Sequence, residues 1–317
     1  MLSLGLYMRL SKIVNMEVQR SEGGGLKFGD MVWFSLKFMF KRWDTLYFFI
    51  PVLVVKLLSL LYMIDVVTRI GISTFDTGEP KVIDMINLIT QFAITQLILL
   101  FIIWIFNSYA VMCVYVAAYR QFRKKRWNAW DLMQEYIGKL PGFLAISFLV
   151  DLIVSIPVLI VGIFAAVTGP LAFLLLVLVL PAMVYIGIRL SVSNISYVIE
   201  GKSITGAIDR SLFLTKDKFW YVFGCSLAFG ILIGIITSFG RLIIKLPFMV
   251  LGGGELAYQP FSIISIKILS SLLTYPIDFY YSIAIGSFSF LIFASLVFMK
   301  GKREVEKPPE PKLDIIR

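Results

Sequence analysis

Four polar side chains lie inside long apolar runs of the sequence and are the first candidates for chemistry. Lys56, Asp151 and Arg189 are charged, and Asn107 adds an uncharged polar group. A charge inside a membrane-spanning helix costs about 2.5–3.5 kcal/mol on insertion scales, so it usually marks an ion or substrate path, or an internal contact between charges. These residues therefore predict either a polar cavity that holds an ion or an anionic group, or a structural contact.

The predicted depths of these side chains place them at one level. At about 1.5 Å per helical residue, Asp151 and Arg189 lie about 12–14 Å, and Lys56 about 16 Å, from the cytoplasmic ends of their helices. Asn107 lies at the same level. Asp151 and Arg189 belong to consecutive antiparallel spans, so we expect them to pair. Pairing is the cheapest way to hold both charges, which favours a structural salt bridge; a cavity open to the cytoplasm is the alternative.

The residue types that most enzymes and metal sites require are scarce. The chain contains no histidine, and its two cysteines, Cys113 and Cys225, lie in apolar runs without CxxC spacing. Histidine is the commonest general base and transition-metal ligand, so its absence removes most hydrolase mechanisms. The sequence predicts no catalytic, cofactor-binding or metal site, and it predicts that the protein is not an enzyme.

The elements that position these residues follow from composition. Of the 317 residues, 59% are hydrophobic and only 16% are charged, and the mean hydropathy is +0.87. Several apolar runs reach the roughly 20 residues that a helix needs to cross a bilayer. A spanning segment must satisfy its own backbone hydrogen bonds, so these runs are predicted helices. The predicted fold is therefore an all-α, polytopic membrane protein.

Six transmembrane helices are expected, arranged as three hairpins. Each hairpin is preceded by a cytoplasmic, interfacial amphipathic helix. The predicted interfacial segments are 26–44, Trp127–Leu140 and Glu200–Lys218. The predicted spans are Thr45–Val67, Met85–Ala118, Phe143–Val167, Leu171–Val198, Phe219–Ile244 and Thr274–Met299.

Three regions follow from this pattern. Residues 1–25 predict a flexible cytoplasmic tail rather than a signal peptide, with Met16 as an alternative start. Residues 26–299 form the predicted six-helix membrane domain with its interfacial helices. Residues 300–317 are charged and proline-rich, which predicts a disordered cytoplasmic tail. The short apolar segment Phe261–Leu273 is expected to lie along the outer surface.

The net charge of +10 comes mostly from segments that flank the apolar runs. This distribution is the orientation signal of membrane proteins, and it places both termini in the cytoplasm of a multi-pass protein of the cell membrane. It argues against nucleic acid as a partner. Basic residues at the interface suit anionic lipid head groups. The predicted head-group contacts are Arg120, Arg123, Lys124, Lys125, Arg126, Lys216 and Lys218.

The third interfacial segment carries a recognisable pattern. Glu200-Gly201 is followed by Ala207 to Ser211 (AIDRS), Leu214 to Lys216 (LTK) and Phe219-Trp220. The pattern resembles a family of six-span bacterial and archaeal proteins named for the membrane domain of glycerophosphoryl diester phosphodiesterase. The resemblance implies an architecture and an accessory role in the membrane, without the soluble catalytic domain of that enzyme.

The first and third interfacial segments also align with each other, which predicts an internal repeat. Phe34-Ser35-Leu36 matches Arg210-Ser211-Leu212, and Lys41-Arg42-Trp43 matches the stretch from Lys216 to Trp220. An approximate three-fold arrangement of hairpins would place the interfacial helices as a cytoplasmic collar. A chance similarity between amphipathic segments is the alternative explanation.

Two functions remain open at this stage. The first is a non-enzymatic integral membrane protein that organises the membrane, or binds lipids or a membrane-protein partner, through its basic interfacial helices. The second is a transporter or channel built around Lys56, Asp151 and Arg189.

Overall fold

Helices make up the described chain, and six of them are long and apolar enough to cross a membrane. The computed structural model describes residues 26–76, 82–168, 172–252 and 260–306, and these residues contain no β-strand. The predicted all-α class and the number of spans are confirmed, and the protein is a polytopic α-helical membrane protein. The predicted N-terminal tail, residues 1–25, lies outside the described residues.

The described residues form ten α-helices and two short 3₁₀ segments. The 3₁₀ segments are Trp43–Phe49, which joins α1 to α2, and Ile137–Lys139, which joins α4 to α5. The α-helices are α1 Phe28–Lys41, α2 Ile50–Asp76, α3 Val82–Phe122, α4 Ala129–Tyr136, α5 Leu140–Thr168, α6 Ala172–Leu190, α7 Ser193–Glu200, α8 Ile204–Thr215, α9 Phe219–Gly252 and α10 Pro260–Glu306.

The fourth span is interrupted where the apolar pattern predicts one continuous helix. The predicted helix runs to Val198, but α6 ends at Leu190 and α7 begins at Ser193. The hydroxyl of Ser191 donates to the carbonyl of Ile188 at 2.8 Å, and the hydroxyl of Ser193 donates to that of Leu190 at 2.7 Å. Serine hydroxyls that bond nearby backbone groups compete with the helical pattern. The chain therefore turns here although the surrounding residues remain apolar.

The sixth span is longer than predicted at both ends. Phe261–Leu273, expected along the outer surface, belongs to α10, which continues to Glu306 beyond the predicted start of the tail at Lys300. Proline at the first helical position, here Pro260, suits a helix start. Pro276 stands inside the helix, as prolines often do in membrane spans. Residues 307–317 of the predicted tail lie outside the described residues.

Helix α10 is the centre of the bundle. In its spanning segment, Leu269–Lys300, 78% of the most apolar 18-residue stretch is buried inside the protein, against 17–33% in the other five spans. It packs on α9, α1, α3, α2 and α8, whereas α5 and α6 pack mainly on each other and on α3, α7, α8 and α9. Apolar side chains on the outer spans are exposed, as a helix facing lipid tails requires.

Two glycines have a side chain of a neighbouring helix directly above them. A Cβ atom built on Gly142 of α5 would lie 1.8 Å from the hydroxyl oxygen of Tyr197 in α7. One built on Gly286 of α10 would lie 2.8 Å from Cγ1 of Val114 in α3. Small residues allow membrane helices to approach closely, because packing replaces the hydrophobic driving force in lipid.

Candidate functional site at the basic end of the bundle

One end of the bundle gathers α1, the C-terminal ends of α3 and α10, and the short helices α4, α7 and α8; we call it the basic end. Arg42, just after α1, contacts the 3₁₀ segment that follows it, the end of α3 and the loop between α3 and α4. Its guanidinium pairs with Asp44 at 2.5 Å and lies 3.9 Å from the ring centroid of Trp127. It also donates to the Gln121 side chain of α3 at 3.4 Å. Arg42 is absent from the predicted site residues and enters the sequence predictions only through the match of Lys41-Arg42-Trp43 to the third interfacial segment.

The N-terminal end of α1 is held against the two last helices. The backbone N–H of Leu26 donates to the hydroxyl of Ser295 in α10 at 3.1 Å. The hydroxyl of Tyr221 in α9 donates to the carbonyl of Leu26 at 3.3 Å and bonds Ser295 at 2.9 Å. The C-terminal end of α10 reaches the turn before α9, where Lys300 pairs with Asp217 at 2.9 Å. These bonds fix α1 and α10 at the same end of the molecule.

The motif in the third interfacial segment builds a corner between α7 and α8. Helix α7 ends at Glu200, and Gly201 takes the left-handed conformation with φ 65° that helix termini favour. Ser203 caps α8 by accepting the backbone N–H of Gly206 at 3.2 Å. Glu200, whose side chain is only 5% exposed, pairs with Arg210 at 3.2 Å and accepts the Ser196 hydroxyl. Glu200, Gly201 and Arg210 of the motif thus hold this corner together.

The same corner is fastened to the end of the fourth span. The hydroxyls of Ser211 and Thr215, both fully buried, donate to the backbone carbonyl of Arg189 at 2.7 and 3.2 Å. Arg189 stands near the C-terminal end of α6, where carbonyls lack intrahelical partners. The contribution of Arg189 to this corner comes from its backbone, which sequence reasoning did not anticipate.

The predicted head-group contacts differ in their exposure and in their contacts within the protein. Arg120 pairs with Glu135 at 2.5 Å, and Arg123 donates to the hydroxyl of Tyr119 at 2.6 Å. Arg120 therefore joins α3 to α4, and Arg123 contacts its own helix end. Lys218 is half-buried at the start of α9. The exposed members of the predicted set are Lys124, Lys125, Arg126 and Lys216.

Lys124 has an unusual backbone. The N–H of Lys125 bonds the carbonyl of Arg120 and that of Lys124 bonds Gln121, each at 2.9 Å, which is a Schellman termination of α3. The left-handed position of this motif is usually glycine, but here it is Lys124 with φ 53°. A non-glycine residue in this region costs of order 1 kcal/mol. The strained backbone position at the end of α3 is therefore occupied by a lysine.

A cavity of about 520 Å³ lies between α1 and the end of α3. Four cations line it, namely Lys37, Lys41, Arg42 and Lys124, together with one carboxylate, Asp30. Its remaining walls are largely apolar and come from α1, α3 and α10. The cavity thus combines a cationic rim with an apolar wall.

Tryptophans surround this end. Four of the six in the chain are strongly exposed, with exposed fractions from 63% to 77%: Trp33, Trp43, Trp130 and Trp220. They stand on α1, on the 3₁₀ segment after it, on α4 and at the start of α9. Tryptophan is enriched where a membrane meets water, because its ring is apolar and its N–H is polar.

The predicted intramembrane polar residues do not meet in one site. Lys56 of α2 faces α10, with its ammonium 4.9 Å from the ring centroid of Tyr275 and 5.4 Å from that of Phe279. Asp278 of α10 lies near Lys56 and pairs with Arg241 of α9 at 2.6 Å. Sequence reasoning missed Asp278, although its position inside the predicted sixth span marked it as an intramembrane charge.

The predicted pair of Asp151 and Arg189 is absent from the ion pairs of the described residues. Asp151 lies on the exposed face of α5, near Trp104 of α3. The guanidinium of Arg189 lies 5.9 Å from the ring centroid of Tyr185 on its own helix. Asn107 is half-buried in α3. The prediction of pairing was wrong because equal depth does not make two side chains face each other.

No protein-family model, curated protein or solved structure matches the chain. The resemblance of the Glu200–Trp220 region to the six-span family therefore stays a prediction. Within the described ranges, no three histidine, cysteine, aspartate or glutamate side chains cluster in a way that would hold a metal ion.

Proposed function

We propose that this protein is a non-enzymatic integral membrane protein that binds anionic lipids at its cytoplasmic face, through basic residues of its interfacial segments. The four exposed tryptophans at the basic end carry the proposal. Exposed rings of this size are costly in water, whereas the head-group layer accommodates both the ring and the nearby ammonium and guanidinium groups. Lys125, Arg126 and Lys216 are exposed at this end and supply the charge.

The proposed orientation follows from the same residues. The basic end would face the cytoplasm of a cell whose inner leaflet is anionic, with α10 delivering the C-terminal segment to that side. Binding of anionic lipids there would serve membrane organisation or the recruitment of a membrane-protein partner. The resemblance to the six-span family is consistent with an accessory role of this kind.

Transport through Lys56, Asp151 and Arg189 has less support. Each of these residues contacts a different part of the bundle, and none of them lines the 520 Å³ cavity. A transport site requires groups that converge on one path near the middle of the membrane. We therefore favour lipid binding.

Quenching of the native tryptophans in vesicles tests the proposed function. The protein is reconstituted into phosphatidylcholine vesicles that contain a small, equal fraction of brominated phosphatidylglycerol or brominated phosphatidylcholine. We expect the anionic quencher to be the stronger one, because cations at the basic end concentrate it around the tryptophans. The difference should shrink as salt is added, since salt screens exposed charges.

The variant Lys125→Gln/Arg126→Gln/Lys216→Gln should lose most of the difference between the two quenchers. The control Lys245→Gln removes an exposed charge near the C-terminal end of α9, away from the basic end, and should keep the difference between the two quenchers. Equal quenching by both lipids in the wild-type protein, at low as well as high salt, would contradict the proposed function.

A further inference from the structure

The cavity between α1 and the end of α3 keeps part of its apolar wall uncovered. Trp33 is 68% exposed at this wall, and Phe34 and Phe122, whose ring centroids lie 6.1 Å apart, are half-buried. Leu26, the first residue that the structure describes, also lines the cavity, so the chain that precedes it reaches the cavity directly. A cavity of about 520 Å³ is large enough to bury several side chains. The chain's own N-terminal segment is therefore the nearest segment that can cover this wall.

One face of α1 presents an ordered set of groups to the cavity. The lining residues Asp30, Phe34, Lys37 and Lys41 follow one another at spacings of four, three and four, which places them along one face of the helix. Like charges four residues apart repel each other, as Lys37 and Lys41 do. Among the ion pairs of the described residues, none includes either lysine. The face thus presents a carboxylate, an aromatic ring and then two cations that lack a counter-charge.

The segment before α1 carries the complementary groups in reverse order. Reading backwards from α1, the chain has three glycines at positions 23–25, then Arg20, Val18 and Glu17. Three successive glycines allow the chain to reverse direction, because glycine adopts the backbone conformations that tight turns need. A segment that turns back along α1 then presents a cation, an apolar side chain and a carboxylate in the order that the helix face requires.

The distances along the two segments agree. Asp30 and Lys37 are seven residues apart on α1, which is about 10 Å along the helix axis. Arg20 and Glu17 are three residues apart, and three residues of extended chain also span about 10 Å. Nine residues separate Glu17 from Leu26 and can span about 30 Å, whereas Lys37 lies only about 16 Å along α1 from Leu26.

We propose that residues 17–22 dock in this cavity and run antiparallel to α1. Glu17 then pairs with Lys37. Arg20 pairs with Asp30, and the valine between the two pairs covers the exposed part of the aromatic wall. All three side chains lie beyond the alternative start of the chain, so the docking is the same for either start. The proposal goes beyond the proposed function and does not depend on it.

Disulfide formation in the full-length variant Glu17→Cys/Lys37→Cys, purified in detergent, tests the docking. The native cysteines are buried, so a mild oxidant reaches the new pair first, and peptide mapping identifies the link. We expect the link to form at least about tenfold faster than in Glu17→Cys/Lys139→Cys, because docking raises the effective concentration of one thiol at the other. Position 139 is exposed on the 3₁₀ segment before α5 and does not line the cavity. Equal rates for the two pairs would overturn the docking.

Reversal of the second ion pair tests the register. In the Glu17→Cys/Lys37→Cys protein, Asp30→Lys places a cation against Arg20 and should slow the link several-fold. Adding Arg20→Glu reverses both charges and should restore the rate. Restoration also excludes damage to α1 itself, since Asp30 lies in the first turn of that helix and a change outside the helix would not repair it. The control Asp131→Lys changes an exposed carboxylate of α4 outside the cavity and should leave the rate unchanged. No restoration by Arg20→Glu would overturn the proposed register.

Other occupants of the cavity give different results. If a second copy of the chain supplies the docked segment, the disulfide will join two chains, and docking within one chain is wrong. If phosphatidylglycerol added at a few molecules per protein abolishes the link, the cavity is a lipid site and the docking is likewise wrong. Trp43, Trp130 and Trp220 do not line the cavity, so docking leaves them available to lipid. Equal quenching by both brominated lipids would therefore contradict the proposed function alone, because the disulfide is measured without anionic lipid.

Discussion

At the scale of single residues, the best-defined contact is the ion pair that closes the corner between α7 and α8. The side chain of Glu200 is almost completely buried, and Arg210 is its only ion-pair partner among the described residues. Removing one member of a buried pair leaves an uncompensated charge, whereas removing both leaves none. The pair therefore makes a clear prediction about stability.

Arg210→Met should lower the free energy of unfolding by up to about 3 kcal/mol, the low end for a buried pair because Arg210 keeps 22% exposure. Glu200→Gln/Arg210→Met should recover most of that loss. Thermal unfolding of the purified variants in detergent measures both. Equal destabilisation by the single and double variants would show that the pair does not act as a unit.

Asp151 makes the opposite prediction. It lies on the exposed face of α5, so Asp151→Asn keeps the size and shape of the side chain and removes only the charge. We expect the free energy of unfolding to stay within about 0.5 kcal/mol of the wild-type value. Loss of folding in this variant would contradict this expectation and would support the salt bridge with Arg189 that the sequence predicts.

At the scale of elements, close approach between helices depends on glycine at particular positions. The contact between Gly142 of α5 and Tyr197 of α7 leaves no room for a methyl group, whereas nothing lies within 4 Å of a Cβ built on Gly162 of the same helix. The two glycines form a matched pair for testing the packing of α5.

Gly142→Ala should destabilise the protein by about 1–3 kcal/mol, because the added methyl overpacks the contact. Gly162→Ala should be neutral or slightly stabilising, since alanine is the better helix former. Thermal unfolding of the two variants under the same conditions measures the difference. If both behave alike, α5 does not pack against Tyr197 as the structure shows.

The sequence predicts the elements better than the contacts between them. Apolar length and charge placement predict six spans and place Trp33 and Trp43 in an interfacial segment, because those signals are local. They do not predict which way a side chain points around its helix axis. Asp151 and Arg189 were therefore placed at one depth and wrongly paired, while Asp278 was missed beside Lys56.

Helix ends show a second limit. Ser191 and Ser193 end α6 inside an apolar stretch through hydroxyl–carbonyl bonds that hydropathy does not register. The cavity is beyond local reasoning as well, because its lining residues come from α1, α3 and α10, which lie far apart in the chain. The internal repeat stays a prediction. Its matched residues Ser35 and Ser211 are both fully buried, which is the one feature that the two segments share in the structure at this position.

At the scale of the whole molecule, α10 is the central helix of the bundle. At Gly286 it packs tightly against Val114 of α3. Gly286→Ala would place a methyl 2.8 Å from Cγ1 of Val114. We expect this variant to lose about 1–3 kcal/mol of unfolding free energy. Adding Val114→Ala, which removes the obstructing methyl, should recover part of the loss. Thermal unfolding in detergent compares the two, and no recovery would place the strain elsewhere.

The central claim is that the preference for anionic lipids belongs to the basic end of the bundle. The most direct test compares two single-tryptophan proteins in vesicles, with the other tryptophans replaced by phenylalanine. One keeps Trp220 at the basic end, and the other carries Ile86→Trp at the opposite end of α3, where Ile86 is 57% exposed. Brominated phosphatidylglycerol should quench Trp220 more strongly than brominated phosphatidylcholine does, and the two lipids should quench the reporter at position 86 equally. The same preference at both ends, or none at Trp220, would contradict the claim.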